Sequence, residues 1–519
     1  MSKGTIEYGD FQTPRVLAEA VVALLRDAGV SPSVIVEPTC GLGSFVLAAV
    51  DRFRSARQVF AYDVNGDYVS ALRERLPGKS DVRFHLAQQD FFKFNWKKFF
   101  SDLPGEVLVV GNPPWVTNSA LGAIGSDNLP KKTNFQNHSG FGAKTGKANF
   151  DISEWMLIKL LESIDGRDGC LAMLCKTATA RRVLRHGWIN GFSIGRATIH
   201  LIDASSHFSA SVNACLLIVH TGVPNPFHTA AVYSDLTFDR KVTTFGLVGT
   251  ELVADVDEYN RVRDLDGVAY YTWRSGVKHD AASIMEFRKK GDALVNGFGE
   301  FADLEPVYTF PLLKSSDIAN GRLTPQRYVL ITQQKPSDDT EAISKIAPKT
   351  WSYLLSHAHV LDRRPSIIYR KRPRFSVFGV GDYTFSPWKV AISGLYKNCK
   401  FSVIGEYRNQ PVVLDDTCYF IPCRSEQEAA FACRLLNSEP ARRFLHSLVF
   451  FDAKRPVTID VLNRIDLARV AAKLGLESDA REYFHEAGFF EGGQGLLVFE
   501  KPEAYRGKPR GTNRVPRRR

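Results

Sequence analysis

Over the first 220 residues, short apolar runs alternate with amphipathic stretches. Runs of strand length fall at 34–37, 58–63, 82–86, 107–111, 170–175, 198–203 and 212–220. Between them, apolar residues recurring every three to four positions predict helices over 16–28, 45–54, 66–76, 152–164 and 177–185. A βαβα alternation of this length points to a Rossmann-like α/β fold with a doubly wound, largely parallel sheet. The turn cluster Thr221-Gly-Val-Pro-Asn-Pro226 ends the alternation, and a strand-like stretch at 230–238 completes a first domain expected over 1–265. A second domain, 266–505, reads as mixed α+β, with many short strands and helices at 427–437 and 440–448. Residues 506–519 read as a basic tail without regular structure.

Composition changes this picture in two places. A chain of 519 residues is too long for one ordinary core, which agrees with a division into domains. No apolar run is long enough to cross a bilayer, and the first ten residues lack the apolar centre of a signal peptide, so a cytoplasmic, nucleoid-associated protein is expected. The eight cysteines are scattered with no Cys-x-x-Cys pair, which predicts buried free thiols and no metal site. The net charge of +11 suggests a polyanionic partner. Seven of the Lys and Arg residues lie in the last 14 positions, so the body carries only about +4. The tail serves solvation as readily as phosphate attraction.

Chemistry-bearing residues cluster at the ends of the predicted strands, where open α/β sheets bind ligands. The stretch Val107-Leu-Val-Val-Gly-Asn-Pro-Pro-Trp115 is a buried strand closed by two prolines. It brings together an amide (Asn112), the carbonyl of Pro113, the rigid Pro114 and the ring of Trp115, a set suited to a flat, amine-bearing substrate. The first strand runs into Glu37-Pro-Thr-Cys-Gly-Leu-Gly-Ser-Phe45, a glycine-containing turn before a helix. It matches neither a dinucleotide fingerprint nor a Walker loop. Asp63 closes the second strand, as ribose-binding acids do, and Asp90-Phe91 follows the third with an acceptor and a ring for an adenine. Helix capping alone accounts for Thr13 and Pro14. Phe208, in a small polar loop, offers a second stacking face. The polar stretch 116–147 carries Lys131, Lys132, Lys144 and Lys147 within reach of phosphates. The patch 363–378, with six Lys/Arg and three aromatic residues, suits a nucleic-acid backbone through Arg370, Arg372 and Arg374, or else forms an amphipathic strand.

In this order the segments resemble the gamma-class amino-methyltransferases of DNA, found in Type II restriction–modification systems and as the methylase part of Type IIG enzymes. The matching motifs are Phe11-Gln-Thr-Pro14, Glu37-Pro38-Thr-Cys40-Gly41-Leu-Gly43-Ser-Phe45, Asp63, Asp90-Phe91 and Asn112-Pro113-Pro114-Trp115. Phe208 fits the family's later loop aromatic. Trp115 stands where Tyr or Phe is commoner and preserves stacking. The resemblance covers roughly residues 8 to 220 and implies a class I methyltransferase domain followed by a target-recognition domain.

It further implies S-adenosyl-L-methionine as cofactor, held by Phe11, Thr13, Pro14, Glu37, Pro38, Cys40, Gly41, Gly43, Asp63, Asp90 and Phe91. Transfer to adenine N6 of a flipped base would fall to Asn112, Pro113, Pro114 and Trp115, with Phe208 as second stacking ring and Lys144, Lys147, Arg370, Arg372 and Arg374 on the DNA. A monomeric modification enzyme acting on double-stranded DNA, with any restriction endonuclease encoded separately, is the expectation. Cytosine N4, RNA or a protein glutamine remain as other acceptors, and a non-catalytic DNA-specificity subunit as another class.

Overall fold

The computed structural model describes residues 12–76, 81–116, 151–209, 211–370 and 372–484. The chain divides into two compact units between Val242 and Thr243. The first begins with helix α1 (Arg15–Asp27), whose Leu17, Ala18, Val21, Val22, Leu24 and Leu25 are buried. It continues through β1 (Val34–Glu37), α2 (Ser44–Arg52), β2 (Gln58–Asp63), α3 (Gly66–Arg75), β3 (Arg83–Gln88), α4 (Trp96–Ser101) and β4 (Val107–Gly111). Then come α5 (Ile152–Ile164), β5 (Gly169–Lys176), α6 (Thr177–Ile189), β6 (Ala197–Asp203), α7 (Ala204–Phe208), β7 (Asn213–Thr221) and β8 (Thr229–Tyr233).

These strands hydrogen-bond in the order β3-β2-β1-β4-β5-β7-β6-β8. β1, β2, β3, β4 and β5 run parallel, and β1 and β4 are buried along their whole length. This explains their unbroken apolar runs, since a parallel strand covered on both faces has no polar side to alternate with. β7 lies antiparallel between β5 and β6. Only residues 204–212 join β6 to β7. That is too short for the crossover of a dozen or more residues that a parallel return needs. The sheet is thus Rossmann-like and largely parallel, as expected, with one reversed strand.

The strand order reverses between β1 and β4: from β1 the chain builds outward through β2 and β3, then starts again on the other side. Such a reversal leaves a crevice at the C-terminal strand ends.

The division falls within β9 (Lys241–Val248), which pairs with β10 (Glu251–Val253) as a hairpin followed by helix α8 (Val256–Val262). The division falls ahead of the boundary expected at 265 for a packing reason. Val253, Tyr259, Val262 and Leu265 belong to the second unit's core, alongside Phe444, Leu445 and Leu448. Ala254 N and Asp255 N both donate to Ser447 O.

Further along lie β11 (Arg274–Ser275), β12 (Glu286–Lys290), β13 (Ala293–Val295), β14 (Phe301–Ala302), β15 (Thr309–Leu313) and β16 (Arg327–Leu330). β17 (Trp388–Ser393), β18 (Phe401–Ile404), β19 (Val413–Leu414) and β20 (Cys418–Cys423) complete two further sheets, ordered β11-β20-β17-β18 and β14-β13-β12-β16-β15-β19. Helix α9 (Glu426–Leu436) packs on the first of these sheets, and α10 (Glu439–Leu448) packs against α8 and α9. Among the described residues no helix is long and apolar enough to cross a membrane. All eight cysteines are free thiols, seven of them buried.

One core side chain of the second unit carries an amine. Lys389 on β17 is 1% exposed, donates to Ser386 O and lies 6.0 Å from the centre of the Phe420 ring. Burial pushes its ammonium down to about 7, far below the unfolded value. Between these two values the unfolded chain binds the extra proton, so this residue makes stability rise with pH. Lys389→Met is therefore expected to stabilise the unit by a few kcal/mol at about pH 7.5 and by clearly less at about pH 9.5. Thermal unfolding followed by tryptophan fluorescence at both pH values measures the difference. An equal effect at the two would contradict the depressed amine.

Candidate active site

The C-terminal ends of β3, β2, β1 and β4 lie side by side, and each is closed or followed by one of the expected polar residues. Asp63, at the end of β2, accepts from Gly41 N (2.8 Å) and Asn65 N (2.9 Å), coupling that strand end to the turn after β1. The turn is tight because Gly43 adopts φ +80° and a Cβ there would stand 2.2 Å from Leu72 Cδ1. Pro38 is buried, and Cys40 N donates to Tyr62 O at 2.8 Å. Burial pushes the Cys40 thiol up, so it is no nucleophile. Asp90 lies two residues beyond β3, next to Asp63, through Gln89 N to Asp63 O (2.8 Å). It accepts from Phe92 N (2.9 Å) and pairs with Lys93 (3.1 Å). Phe91 is buried in an aromatic cluster with Trp96 (4.9 Å) and Trp155 (6.1 Å), and Trp96 Nε1 donates to the Phe91 carbonyl.

Glu37 sits at the point where the strand order reverses. It is 2% exposed, and its carboxylate accepts from Val46 N (3.0 Å) in the first turn of α2. Burial dominates and raises its pKa well above the usual carboxylate range, with Asp63 adding to the effect. On the neighbouring strand, Gly111 lies alongside the Glu37 side chain, where a Cβ would come into ordinary contact with Glu37 Cγ at 3.5 Å.

Residues 12–14 link the turn to the end of β4. Gln12 Oε1 accepts from Leu42 N (3.0 Å), the Thr13 carbonyl from Ser44 Oγ (2.7 Å), and Thr13 Oγ1 from Asn112 Nδ2 (3.3 Å). Thr13 is therefore not the helix cap that spacing alone allowed. The N-cap is Pro14, with ψ 139°, the helix starts at Arg15, and no side chain caps it. The hydroxyl faces Asn112 instead.

Trp115 and Phe208 meet across the same edge. Both are 7% exposed, with ring centres 5.1 Å apart in an edge-to-face contact at 69°. Trp115 Nε1 donates to Leu174 O (3.4 Å). Phe208 lies on a short helix, not in the expected loop. Asp203, at the end of β6, caps that helix through Ser205 N (3.0 Å) and Ser206 N (3.4 Å). Two residues that the sequence did not single out also reach this edge, Lys176 at the end of β5 and Asp151 before α5. A lysine ending the apolar run 170–175 and an aspartate at a helix N-cap were the available signals.

The basic patch of the second unit is no strand. It forms a single turn of 3-10 helix at Ile367–Tyr369. Arg364 faces inward, donating to His279 O (3.1 Å) and Ser376 O (2.7 Å) with its guanidinium 3.7 Å from the Tyr369 ring centre. Arg374 pairs with Asp362 at 2.7 Å, Arg372 donates to Pro336 O (3.4 Å), and Arg370 is exposed. Phe11, Lys131, Lys132, Lys144 and Lys147 lie outside the described residues.

The acceptor-rich edge fits a cationic, hydroxyl- and amine-bearing cofactor better than a phosphate. Asp63 and Asp90 supply carboxylates at adjacent strand ends, and the turn 37–45 carries neither Lys nor Arg. Among the described residues, no cluster of His, Cys, Asp and Glu is arranged to hold a metal ion.

No family model matches the chain. It is 42% identical over 473 residues to the Type II methyltransferase M.NspV of Nostoc sp. (strain ATCC 29411 / PCC 7524), covering 91% of this chain and 98% of that protein. Among solved structures it is similar to the Type IIL restriction–modification enzyme MmeI, determined in complex with DNA, with a TM-score of 0.53 at 12% identity. That likeness, one of fold, covers 86% of this chain, which spans 64% of the MmeI chain, just under two thirds.

The buried carboxyl at the reversal point has a measurable consequence. With its pKa raised in the fold, Glu37 favours folding when protonated, and this contribution is lost as pH rises above the unfolded value. Glu37→Gln keeps an acceptor for Val46 N and removes the titration. It is expected to raise the melting temperature by a few degrees at about pH 8 and to leave it nearly unchanged at about pH 5, by scanning calorimetry.

Proposed function

The chain belongs to the Type II methyltransferases of restriction–modification systems, with S-adenosyl-L-methionine as cofactor, and from that premise we propose that it methylates adenine N6 in duplex DNA. The observation that carries this reading is the placing of Asn112 at the end of β4, its amide nitrogen turned to Thr13, on the same edge as Asp63 and Asp90. With Nδ2 directed at Thr13, the carbonyl oxygen is the edge of the amide that an incoming amine meets. In the stacked duplex N6 is out of reach, so the base has to be flipped into the crevice.

In this reading Asn112 Oδ1 and the Pro113 carbonyl accept the two amino hydrogens, which draws the nitrogen lone pair out of the ring. S-adenosylmethionine supplies an electrophilic methyl group on a sulfonium. Asp63 would accept from the ribose hydroxyls and Asp90 from the cofactor's amino group, with Phe91, Pro38 and the turn at Gly41 and Gly43 shaping the pocket. Trp115 and Phe208 hold the base. Acceleration comes from positioning and from fixed dipoles, with no strong base, because the amino nitrogen becomes acidic only after methylation. The second unit then reads the target sequence, with Arg370, Arg372 and Arg374 as backbone contacts and Lys144 and Lys147 of the first unit on phosphate.

The test is incubation of the full chain with duplex DNA and labelled cofactor, followed by mass spectrometry of the nucleosides. N6-methyladenine is the expected product, and N4-methylcytosine or unmodified DNA would overturn the proposal. Asn112→Ala is expected to lower single-turnover transfer by on the order of 10²- to 10³-fold while leaving cofactor affinity within about twofold. Undiminished transfer would remove Asn112 from the mechanism.

A further inference from the structure

The turn at 112–115 does not hold itself. Its two prolines have no N–H to tie it to the sheet, so it depends on partners elsewhere. Trp115 has three. Its indole N–H donates to Leu174 O, its ring meets Phe208, and its main-chain carbonyl accepts from Lys176 Nζ at 3.1 Å. The third contact is the unusual one, since it uses a charged side chain on a backbone carbonyl.

Lys176 is in turn fixed by Asp151, whose carboxylate lies 2.6 Å from its ammonium and is only 5% exposed. Asp151 is itself pinned. Its other oxygen accepts from Ser153 N (3.1 Å) and Ser153 Oγ (2.6 Å), capping α5. One residue further on, Ile152 N donates to Val116 O at 2.9 Å. Trp115 and Val116 are thus held, through adjacent carbonyls, by the ends of β5 and α5.

We propose that Lys176, oriented by Asp151, is a positioning residue for methyl transfer: it fixes the Trp115 carbonyl and so the plane of the stacking ring and the aim of the acceptor turn. The inference rests on the assignment of 112–115 as the acceptor turn. It gives Lys176 no contact with the reacting atoms. A displacement of about 1 Å in the acceptor geometry suffices to cost on the order of 10²-fold in rate. The affinity for the cofactor, which is held at the ends of β1, β2 and β3, should be untouched.

Lys176→Met alone leaves Asp151 buried without its partner, which destabilises folds generally. The pair Lys176→Met with Asp151→Asn removes the charges together and is the informative variant, with Lys176→Arg as the conservative one. Each full-length protein is assayed for single-turnover transfer to DNA, for cofactor affinity by calorimetry and for base flipping by the fluorescence of 2-aminopurine at the target position. The double variant is expected to lose on the order of 10²-fold in transfer rate with cofactor affinity within about twofold and a diminished stacking signal. Lys176→Arg, which can still reach both partners, is expected to recover most of the rate. Full transfer by the double variant overturns the proposal, as does an equal loss in cofactor affinity or a failure of Lys176→Arg to rescue. If the wild-type protein transfers no methyl group to DNA, the assignment of the turn fails first, and the two failures are told apart.

Discussion

A hydrogen-bond ladder ends where its donors end. β4 is buried throughout and ladders with β1 as far as Val109 and with β5 as far as Gly111, after which Pro113 and Pro114 offer no N–H to either neighbour. The chain has to leave the sheet there, and a turn without backbone donors has to be held by others. That requirement accounts for the company around it: the hydroxyl of Thr13 on Asn112, and Leu174 O, Phe208 and Lys176 on Trp115. Rigid at its prolines and tied at its flanks, the turn holds the Asn112 amide and the Pro113 carbonyl in place at the strand edge.

Two of the buried titratable groups, Lys389 and Glu37, show how differently the units use polar atoms. Lys389 lies within a strand of the second unit, donating to a carbonyl three residues away, and its burial is a cost to stability. Glu37 lies at the strand reversal of the first unit, and its acceptor role at the start of α2 joins β1 to the helix that follows. Its burial costs stability as well, but at the crevice where ligands of such sheets bind. Perturbed groups in that position are where function is to be sought.

Most of the sheet was legible in the sequence, because a strand buried on both faces writes itself as an apolar run and an amphipathic helix as a period. β2 at Gln58–Asp63 and α5 at Ile152–Ile164 fall on the expected residues. The strand-end acids were legible for the same reason: once the strands are placed, so are their ends. What periodicity could not reveal is anything set by contacts across the chain. Thr13 looks like a cap from its neighbours and turns to Asn112, 99 residues away. Phe208 looks like a loop aromatic because Asp203 and two serines resemble a turn, whereas the aspartate caps a short helix. Arg374 pairs with Asp362, a partner visible only in the fold.

The same distinction explains how the edge is assembled. Residues 12–13, 37–46, 63, 90, 112–116, 151–153, 176 and 208 come from separate segments, and each is fixed by a hydrogen bond, ion pair or ring contact to another of these segments or to its own element. The hydrogen bond from Ile152 N to Val116 O ties the start of α5 to the residue that follows the turn at 112–115, so that turn too is fixed by contacts far apart in the chain.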